Sequence, residues 1–259
     1  MTHLLRTLFV VMVVLGRMPL AAAALPTGVS VPQIKPASTS QSSKKDFKRS
    51  LSGLYAIETW NGNQVRQRHS EFDALYANAQ RAQAELGTLV NEIGMLSQAT
   101  PIIPPVKSTE RAQAKIAQEL NGEAAKITDL ARATLVAKDI NGIVTAFEIL
   151  GKDAEILQVK NRFKSPAPSG YRDLKVLVRL PKSQHIAEVQ IHLNAIAEIK
   201  SGEEHEVYQQ VQHIERIAAS ESRGLNDLEQ AKIARLRQYS QTLYQFAWQQ
   251  YLQPSTMAS

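Results

Sequence analysis

The sequence predicts an α+β domain, in which helices flank a mixed β-sheet and further helices extend the fold at both ends. Apolar residues recur at intervals of three and four in the first and last thirds of the chain, as they do along amphipathic helices. The central third instead holds short apolar, partly β-branched runs between turn-forming residues, which is typical of strands. We find no internal repeat, so helices, strands and helices in this order predict one mixed domain.

Length, charge and cysteine content narrow the class of protein. The 259 residues suffice for one sizeable domain with appendages, and 44% apolar and 21% charged residues are ordinary for a globular fold. The formal net charge of +6 favours an anionic ligand, of which a nucleotide phosphate is the simplest. There is no cysteine, which excludes disulfides, thiolate zinc sites and a cysteine nucleophile.

The N-terminus has the order of a secretory signal. Arg6 precedes a short apolar run, residues 7–15, and four consecutive alanines supply a cleavage site before Leu25. We predict a signal peptide over residues 1–24, export to the periplasm or beyond, and no stable membrane association after its removal. An uncleaved anchor, or an apolar tail on a cytosolic protein, is the alternative. Residues 25–50 are rich in Pro, Ser, Gln and Lys and predict a flexible linker.

The first elements are helical. Within an N-terminal helical region, residues 51–104, apolar spacing predicts a helix from about 66 to 98, which Pro101 ends. A second helix begins near Lys107 and runs toward Leu120, where Asn-Gly stops it.

The strands lie in the central domain, residues 105–218. Apolar runs predict strands over about 131–137, 155–163, 171–180 and 186–193, and a helix over 140–150. The pattern turns helical again from Ala195. A last helix, from about Asp227 to Leu252, lies in the C-terminal segment 219–259, with Leu228, Ile233, Tyr239, Phe246 and Ala247 among its inward residues.

One helix carries a cationic face. Lys107, Arg111 and Lys115 are spaced by four and drift only about 40° per step around the helix. Such a face can bind triphosphate oxygens, and an arginine can also stack on a base. A solvated helix surface would show the same pattern.

Two carboxylates are candidates for a magnesium site. Asp129 lies at the entry to the first central strand, and Glu188 lies within the last one. Alternation puts Glu188, Gln190 and His192 on one face of that strand. If this face opens to a cleft, both acids can share Mg²⁺ with substrate phosphates and waters. A turn residue and an ordinary amphipathic strand are the alternative interpretation.

Tyr171 follows Gly170 at the start of a strand, where a sharp turn would leave the ring free to stack on a nucleobase. A buried tyrosine that covers the core fits the same sequence. His192, His205 and His213 lack a metal-binding spacing and are interpreted as hydrogen-bonding or surface residues.

Taken in order, these positions resemble the synthetase domain of the RelA/SpoT alarmone enzymes, which has a nucleotidyltransferase-like fold. Lys107 and Lys115 match the family's Lys-x₃-Ser-x₃-Lys helix motif, which contacts ATP phosphates, with Arg111 at the serine. Asp129 matches the magnesium-binding residue of the Asp-x-x-Gly-x-Arg motif.

The acceptor motifs are also partly kept. Gly170 and Tyr171 match Gly-Tyr-x-Ser-x-His, whose tyrosine stacks the acceptor guanine. The run from Glu188 to Ile191 matches the first four residues of Glu-x-Gln-Ile-Arg. Five other motif positions depart from the family: Arg132, Thr134, Asp173, Lys175 and His192.

The resemblance implies a Mg²⁺-dependent transfer of pyrophosphate from ATP to the 3′-hydroxyl of an acceptor nucleotide. It implies metal and catalytic roles for Asp129 and Glu188, with Glu188 a base, a metal ligand or both. The implied ATP-binding residues are Lys107, Arg111, Lys115 and Arg132. The implied acceptor-binding residues are Tyr171, Arg172, Lys175, Gln190 and His192. Because the acceptor motif has changed, GDP or GTP, an adenosine nucleotide and an RNA 3′ end are all open.

Three functional hypotheses follow. An exported synthetase is best explained as an effector or toxin that acts in another cell, since ATP is scarce outside the cytoplasm. A catalytically degenerate module that binds a nucleotide or a partner in the periplasm would explain the departures. The long terminal helices also offer a partner-binding surface, so an oligomer is possible.

Overall fold

The structure, a computed structural model, describes residues 41–63 and 65–253. Within this part of the chain, the α-helices are α1 (Gln41–Ala56), α2 (Phe72–Ser97), α3 (Thr109–Glu119), α4 (Ile140–Asp153), α5 (Asn194–Ser201), α6 (Glu203–Ser220) and α7 (Asp227–Gln249). The strands are β1 (Trp60–Asn61), β2 (Thr100–Ile102), β3 (Arg132–Ala137), β4 (Glu155–Asn161), β5 (Leu174–Arg179) and β6 (Ile186–Leu193).

The strands form one mixed sheet in the order β1-β4-β5-β6-β3-β2. β3 and β6 run parallel, and every other neighbouring pair is antiparallel. A parallel pair cannot be joined by a tight turn, and here α4, β4 and β5 lie between its two strands. The predicted α+β class with a mixed sheet is confirmed.

The core lies on one face of the sheet. Ala133 and Leu135 of β3 alternate with partly exposed polar residues, and Val189 and Ile191 of β6 continue the same buried face. Helices α2 and α4 pack against it. Burial of each large aliphatic side chain stabilises the fold by about 1.5–3 kcal/mol. The apolar face therefore fixes the sheet and leaves its opposite face for polar residues.

Helices α5, α6 and α7 pack on one another after the last strand. Glu204 of α6 is buried and accepts hydrogen bonds from Ser240 Oγ at 3.2 Å and Tyr244 Oη at 2.9 Å, both on α7. A buried carboxylate is tolerated when it is hydrogen-bonded, and these contacts hold α6 against α7.

The linker prediction for residues 25–50 is wrong for residues 41–50, which begin α1. The apolar residues of α1, Phe47, Leu51 and Leu54, are spaced for one helix face and pack into the core with α4. The predicted linker boundary at residue 50 cuts this apolar stripe in two. The parts of α1 before and after the boundary each hold too few apolar residues to indicate a helix. Residues 1–24, the predicted signal, and residues 25–40 lie outside the described residues.

Several predicted boundaries shift for local reasons. β4 ends at Asn161 rather than 163, because the Asn161 side chain accepts hydrogen bonds from the backbone N–H groups of Phe163 and Lys164 and turns the chain. In α7, Leu228 and Phe246 were predicted to face inward, but they are 83% and 69% exposed. None of the helices within residues 41–63 and 65–253 is long and apolar enough to cross a membrane.

Candidate functional site

The candidate site lies on the polar face of the sheet. Because β3 and β6 are in parallel register, Arg132 lies opposite Glu188 and Thr134 opposite Gln190. On the other side of β6, Lys175 of β5 lies opposite Gln190. Residues paired across strands share a face, so these side chains meet above the centre of the sheet.

At one side of this face, two lysines hold Asp129. The backbone N–H of Lys107 donates to the Leu130 carbonyl at 3.1 Å, which fixes the chain next to Asp129. Ser108 caps α3 by accepting a hydrogen bond from the Arg111 backbone N–H, and this orients the helix that carries Lys115. The Nζ atoms of Lys107 and Lys115 lie 2.9 and 2.8 Å from Asp129 Oδ2.

Asp129 is an ionised carboxylate with one free oxygen. Burial by itself raises its pKa, but the hydrogen bonds and charges of Lys115 and Lys107 outweigh this and hold the pKa below the usual range. Both lysines bind Oδ2, whereas Oδ1 is buried and has no hydrogen-bond partner. A buried, unsatisfied anionic oxygen fits a cation or a donor that arrives with substrate.

Glu188 is the second carboxylate. It is buried, and its Oε2 accepts from Lys175 Nζ at 2.6 Å while its Oε1 accepts from Gln190 Nε2 at 2.7 Å. Its backbone N–H donates to the Ala131 carbonyl at 3.1 Å, two residues beyond Asp129 in the chain. Strand pairing thus brings the chain segments that carry both predicted acids together.

The two acids fit Mg²⁺ as a metal shared with a substrate. Among the described residues, no group of three or more His, Cys, Asp or Glu side chains could hold a metal alone. Magnesium is typically bound by one or two carboxylates together with substrate phosphates and waters. The free Oδ1 of Asp129 would supply one such ligand. Glu188 would supply the other once Lys175 or Gln190 releases one of its oxygens.

Tyr171 is placed by a sharp turn, but its ring is not free. Gly170 has a φ of +82°, as the predicted sharp turn requires. The Tyr171 ring packs edge-on against Tyr244, with centroids 5.5 Å apart, and lies 5.8 Å from His192. Its hydroxyl donates to Asp173 Oδ2 at 2.9 Å and contacts His192 Nε2. In this structure the ring covers the core, which is the alternative that the sequence left open.

His192 is buried beneath the acceptor motif. Burial, followed by the charges of Lys200 and Arg162, lowers its pKa well below the ordinary value, so the ring is neutral at pH 7. Its Nδ1 has no hydrogen-bond partner. As a neutral ring under Tyr171, it contacts the tyrosine hydroxyl rather than presenting a charge to a phosphate.

Arg172 does not join this site. Its guanidinium lies 5.2 Å from the centre of the Trp248 ring, and Nη1 donates to the Phe163 carbonyl at 2.9 Å. The acceptor-binding role of Arg172 stays a prediction that this arrangement does not support. Neighbouring residues in an extended chain point to opposite sides, and Asp173 is the one that faces Tyr171.

The structure adds two residues that the sequence did not identify as site residues. Lys200 of α5 donates to Gln190 Oε1 at 2.8 Å and lies 5.5 Å from the Tyr171 ring centre. Arg162 pairs with the fully buried Asp173 at 2.5 Å and lies 5.6 Å from the same ring. Burial raises the pKa of Asp173, which the charge of Arg162 opposes. No sequence motif marks Lys200 or Arg162, because only the fold brings them to the tyrosine.

Arg111 and Arg132 take different positions. Arg111 is exposed on α3 and, with Lys107 and Lys115, lines a cleft of about 630 Å³. Arg132 lies on the polar face, where Gln83 binds its backbone N–H and carbonyl at 2.9 Å each. Of the predicted cationic helix face, Arg111 and Lys115 lie on α3 and line the cleft. Lys107 also lines it, but it is buried and precedes the helix.

This chain shares its fold with a solved structure of another protein. It is similar to a chain in the crystal structure of the complex between the Type VI effector Tas1 and its immunity protein. That match has 20% identity, a TM-score of 0.52, and covers 69% of this chain and 96% of the other. The likeness shows the shared fold.

Two further solved structures match with lower TM-scores. A GTP pyrophosphokinase family protein from Streptococcus pneumoniae has 18% identity and a TM-score of 0.48, over 70% of this chain and 93% of that one. Small alarmone synthetase 1 from Bacillus subtilis, bound to its product pppGpp, has 16% identity and a TM-score of 0.46, over 70% and 96%. No protein-family model and no curated protein matches the sequence.

Proposed function

We propose that this protein is a nucleotide pyrophosphokinase. In the proposed reaction, the 3′-oxygen of an acceptor nucleotide forms a bond to the β-phosphorus of ATP. The bond from that phosphorus to the oxygen bridging to the α-phosphorus breaks, and AMP leaves with the electron pair. The proton of the acceptor hydroxyl passes to a base. No oxidant or reductant is needed.

One observation carries the proposal. Two buried carboxylates, Asp129 and Glu188, are each bound by at least one lysine. Of these lysines, Lys115 and Lys175 are partly exposed to solvent, whereas Lys107 is buried. Cations of this kind can transfer their contacts from a carboxylate to an incoming phosphate. The chain thus has the two charge types that phosphoryl transfer requires, which are cations for the phosphate tail and carboxylates for metal or proton.

Each residue has a proposed role. Lys107 and Lys115 bind the donor phosphates, and Arg111 and Arg132 extend this cationic surface. Asp129 and Glu188 would hold Mg²⁺, which neutralises charge on the β and γ oxygens when bound. Glu188 also accepts the proton of the acceptor hydroxyl. Tyr171 would stack on the acceptor base once its ring leaves the contact with Tyr244. Lys175, Gln190 and Lys200 face the acceptor phosphates.

Export and the acceptor belong to the same proposal. The N-terminal segment motivates export as an effector or toxin, and the altered acceptor motif leaves guanosine and adenosine nucleotides and RNA 3′ ends as candidates. Expression of the full chain in bacteria, fractionation and N-terminal sequencing would test export. A mature chain that begins at Leu25 in the periplasm is expected, and an intact cytoplasmic chain would overturn this part.

A transfer assay tests the activity. Purified protein is incubated with γ-labelled ATP, Mg²⁺ and, separately, GDP, GTP, ADP, ATP and an RNA with a free 3′-hydroxyl. We expect labelled pyrophosphate transfer to at least one acceptor, with stoichiometric AMP. Glu188→Gln, which keeps the size of the side chain, should lower the rate by about 10²–10⁴-fold. No transfer to any acceptor would overturn the proposal.

The second candidate is a nucleotide-binding module without turnover. It is favoured by the ion pair between Lys175 and Glu188, which in this structure occupies the proposed base. This candidate predicts that the protein binds nucleotide, that Glu188→Gln leaves binding intact, and that no AMP forms. The assay above, combined with a binding measurement, separates the two.

A further inference from the structure

The cleft beside the two lysines has a second wall that the proposed chemistry does not use. It lies between α3 and α6 and measures about 630 Å³, which is within the range of small-molecule sites. Lys107, Arg111 and Lys115 line it from the α3 side. Tyr208 and Arg216 line it from α6.

The α6 wall presents an aromatic ring and a free cation. Tyr208 is 50% exposed, and its hydroxyl accepts a hydrogen bond from Gln212 Nε2 at 2.6 Å along the same helix. Within the described chain, neither Arg111 nor Arg216 makes an ion pair. By contrast, Glu215, the acid on this wall next to Arg216, is held by Arg237 of α7 at 2.9 Å.

This wall is fixed before a ligand arrives. Val207 and Ile214 of α6 are buried, and Glu204 is hydrogen-bonded to two residues of α7. Tyr208 follows directly after Val207 and therefore projects from an anchored turn of the helix. A preorganised ring loses little entropy when a planar ligand stacks on it.

We propose that the α3–α6 cleft holds the nucleoside of the donor nucleotide, with its base stacked on Tyr208. The phosphates then run toward Lys107 and Lys115, at the end of the cleft where Asp129 lies. Arg111 and Arg216 flank the path from opposite walls, where they can pair with phosphate or stack on the base. A planar, anionic ligand satisfies both the ring and the unpaired cations, and a nucleoside triphosphate is such a ligand. This inference rests on the proposed function and assigns α6 a role in it.

Binding calorimetry with two probes tests the inference. One probe is an ATP analogue with a methylene group between the α and β phosphates, and the other is inorganic tripolyphosphate, which has no base. Tyr208→Ala should weaken binding of the analogue by about 10-fold, as loss of one base–aromatic stack does, and leave tripolyphosphate affinity unchanged. Tyr208→Phe keeps the ring and should bind like wild type. Phe246→Ala, which removes an exposed ring of α7, is the matched control.

The outcomes separate this inference from the proposed function. If wild type binds the analogue and Tyr208→Ala binds it equally well, the base does not lie on Tyr208 and only this inference fails. If wild type binds tripolyphosphate as tightly as the analogue, the cleft holds phosphates alone, and again only this inference fails. If wild type binds neither probe, the inference and the proposed function fail together.

Discussion

Lys175 Nζ lies 2.6 Å from Glu188 Oε2, although the two residues are not directly opposite each other in the sheet. The cross-strand partner of Lys175 is Gln190, whose amide donates to the other oxygen of Glu188. Glu188 is therefore held on both oxygens by neighbours on one face. An acceptor phosphate that attracts Lys175 would release one of these oxygens for proton transfer.

Removing this lysine should destabilise the fold. Lys175→Met leaves the buried Glu188 without its counter-charge, and breaking a buried ion pair costs about 3–5 kcal/mol. Because the Lys175 side chain is 27% exposed, we expect a smaller loss of about 1–3 kcal/mol in the free energy of unfolding. Urea denaturation measures it. The double variant Lys175→Met/Glu188→Gln should recover most of the loss, and equal stability of the single and double variants would contradict the pairing.

Asp129 should couple nucleotide binding to magnesium. We expect Mg²⁺ to tighten binding of the methylene ATP analogue to wild type. In Asp129→Asn, which keeps size and removes the charge, this gain should shrink about tenfold or more, because a charged ligand of the ion is lost. Calorimetry with and without Mg²⁺ measures the difference. Asp139→Asn, which changes a helix cap outside the site, is a control. An unchanged magnesium effect in Asp129→Asn would exclude Asp129 as a ligand.

Sequence reasoning located the carboxylates and the α3 lysines because their positions follow from local periodicity. Glu188 alternates with apolar neighbours in β6, and Lys115 lies on α3 as its spacing predicts. Lys107 precedes the helix cap and meets Lys115 at Asp129 instead. Alternation also predicts that Arg172 and Asp173 point to opposite sides of the chain, as they do in the structure.

Other parts of the site depend on contacts that no local pattern encodes. Lys200 reaches Gln190 because α5 folds back beside β6, and Arg162 reaches Tyr171 across the turn after β4. The exposure of Phe246 depends on which side of α7 meets α5 and α6. Such long-range packing decides between several sequence-compatible faces, which explains why the helix was predicted and its inward face was partly wrong.

Lys200 should act on the acceptor rather than on ATP. It is a half-buried cation whose pKa is lowered by burial, and it faces Gln190, His192 and the Tyr171 ring. For Lys200→Ala we expect kcat/KM for the acceptor to fall at least about tenfold, as loss of a charged hydrogen bond does. The KM for ATP should stay the same. Steady-state kinetics with each substrate varied measures both, with Lys232→Ala of α7 as the control. A rise in KM for ATP alone would contradict this role.

Gly170 should be intolerant of a side chain. Its φ of +82° is unfavourable for other residues, and an added Cβ would lie 3.0 Å from the Gln241 Cα of α7. Gln241 Nε2 also donates to the Pro168 carbonyl at 2.7 Å, so the loop cannot easily move away. Gly170→Ala should lower the free energy of unfolding by about 1–3 kcal/mol. Gly224→Ala, where a Cβ meets nothing within 4 Å, is the control in thermal denaturation. Equal melting temperatures would show that the loop is not clamped.

His185 should make the fold sensitive to mild acid. Burial, with a smaller effect of the His69 charge, lowers the pKa of His185 from 6.5 to about 4. As the pH falls below 6.5, the unfolded chain binds a proton at this position and the folded chain does not. Stability is therefore lost progressively between about pH 6.5 and pH 4 and no further below that. The loss approaches about 3 kcal/mol, because a tenfold change in proton affinity corresponds to about 1.4 kcal/mol.

His185→Gln cannot titrate, and urea denaturation from pH 7.5 to 4 should show its stability falling less steeply than that of wild type. His192, buried with a lowered pKa, acts in the same direction in both proteins, so the difference between the two curves isolates His185. Parallel curves would mean that His185 binds a proton equally well in the folded and unfolded chains.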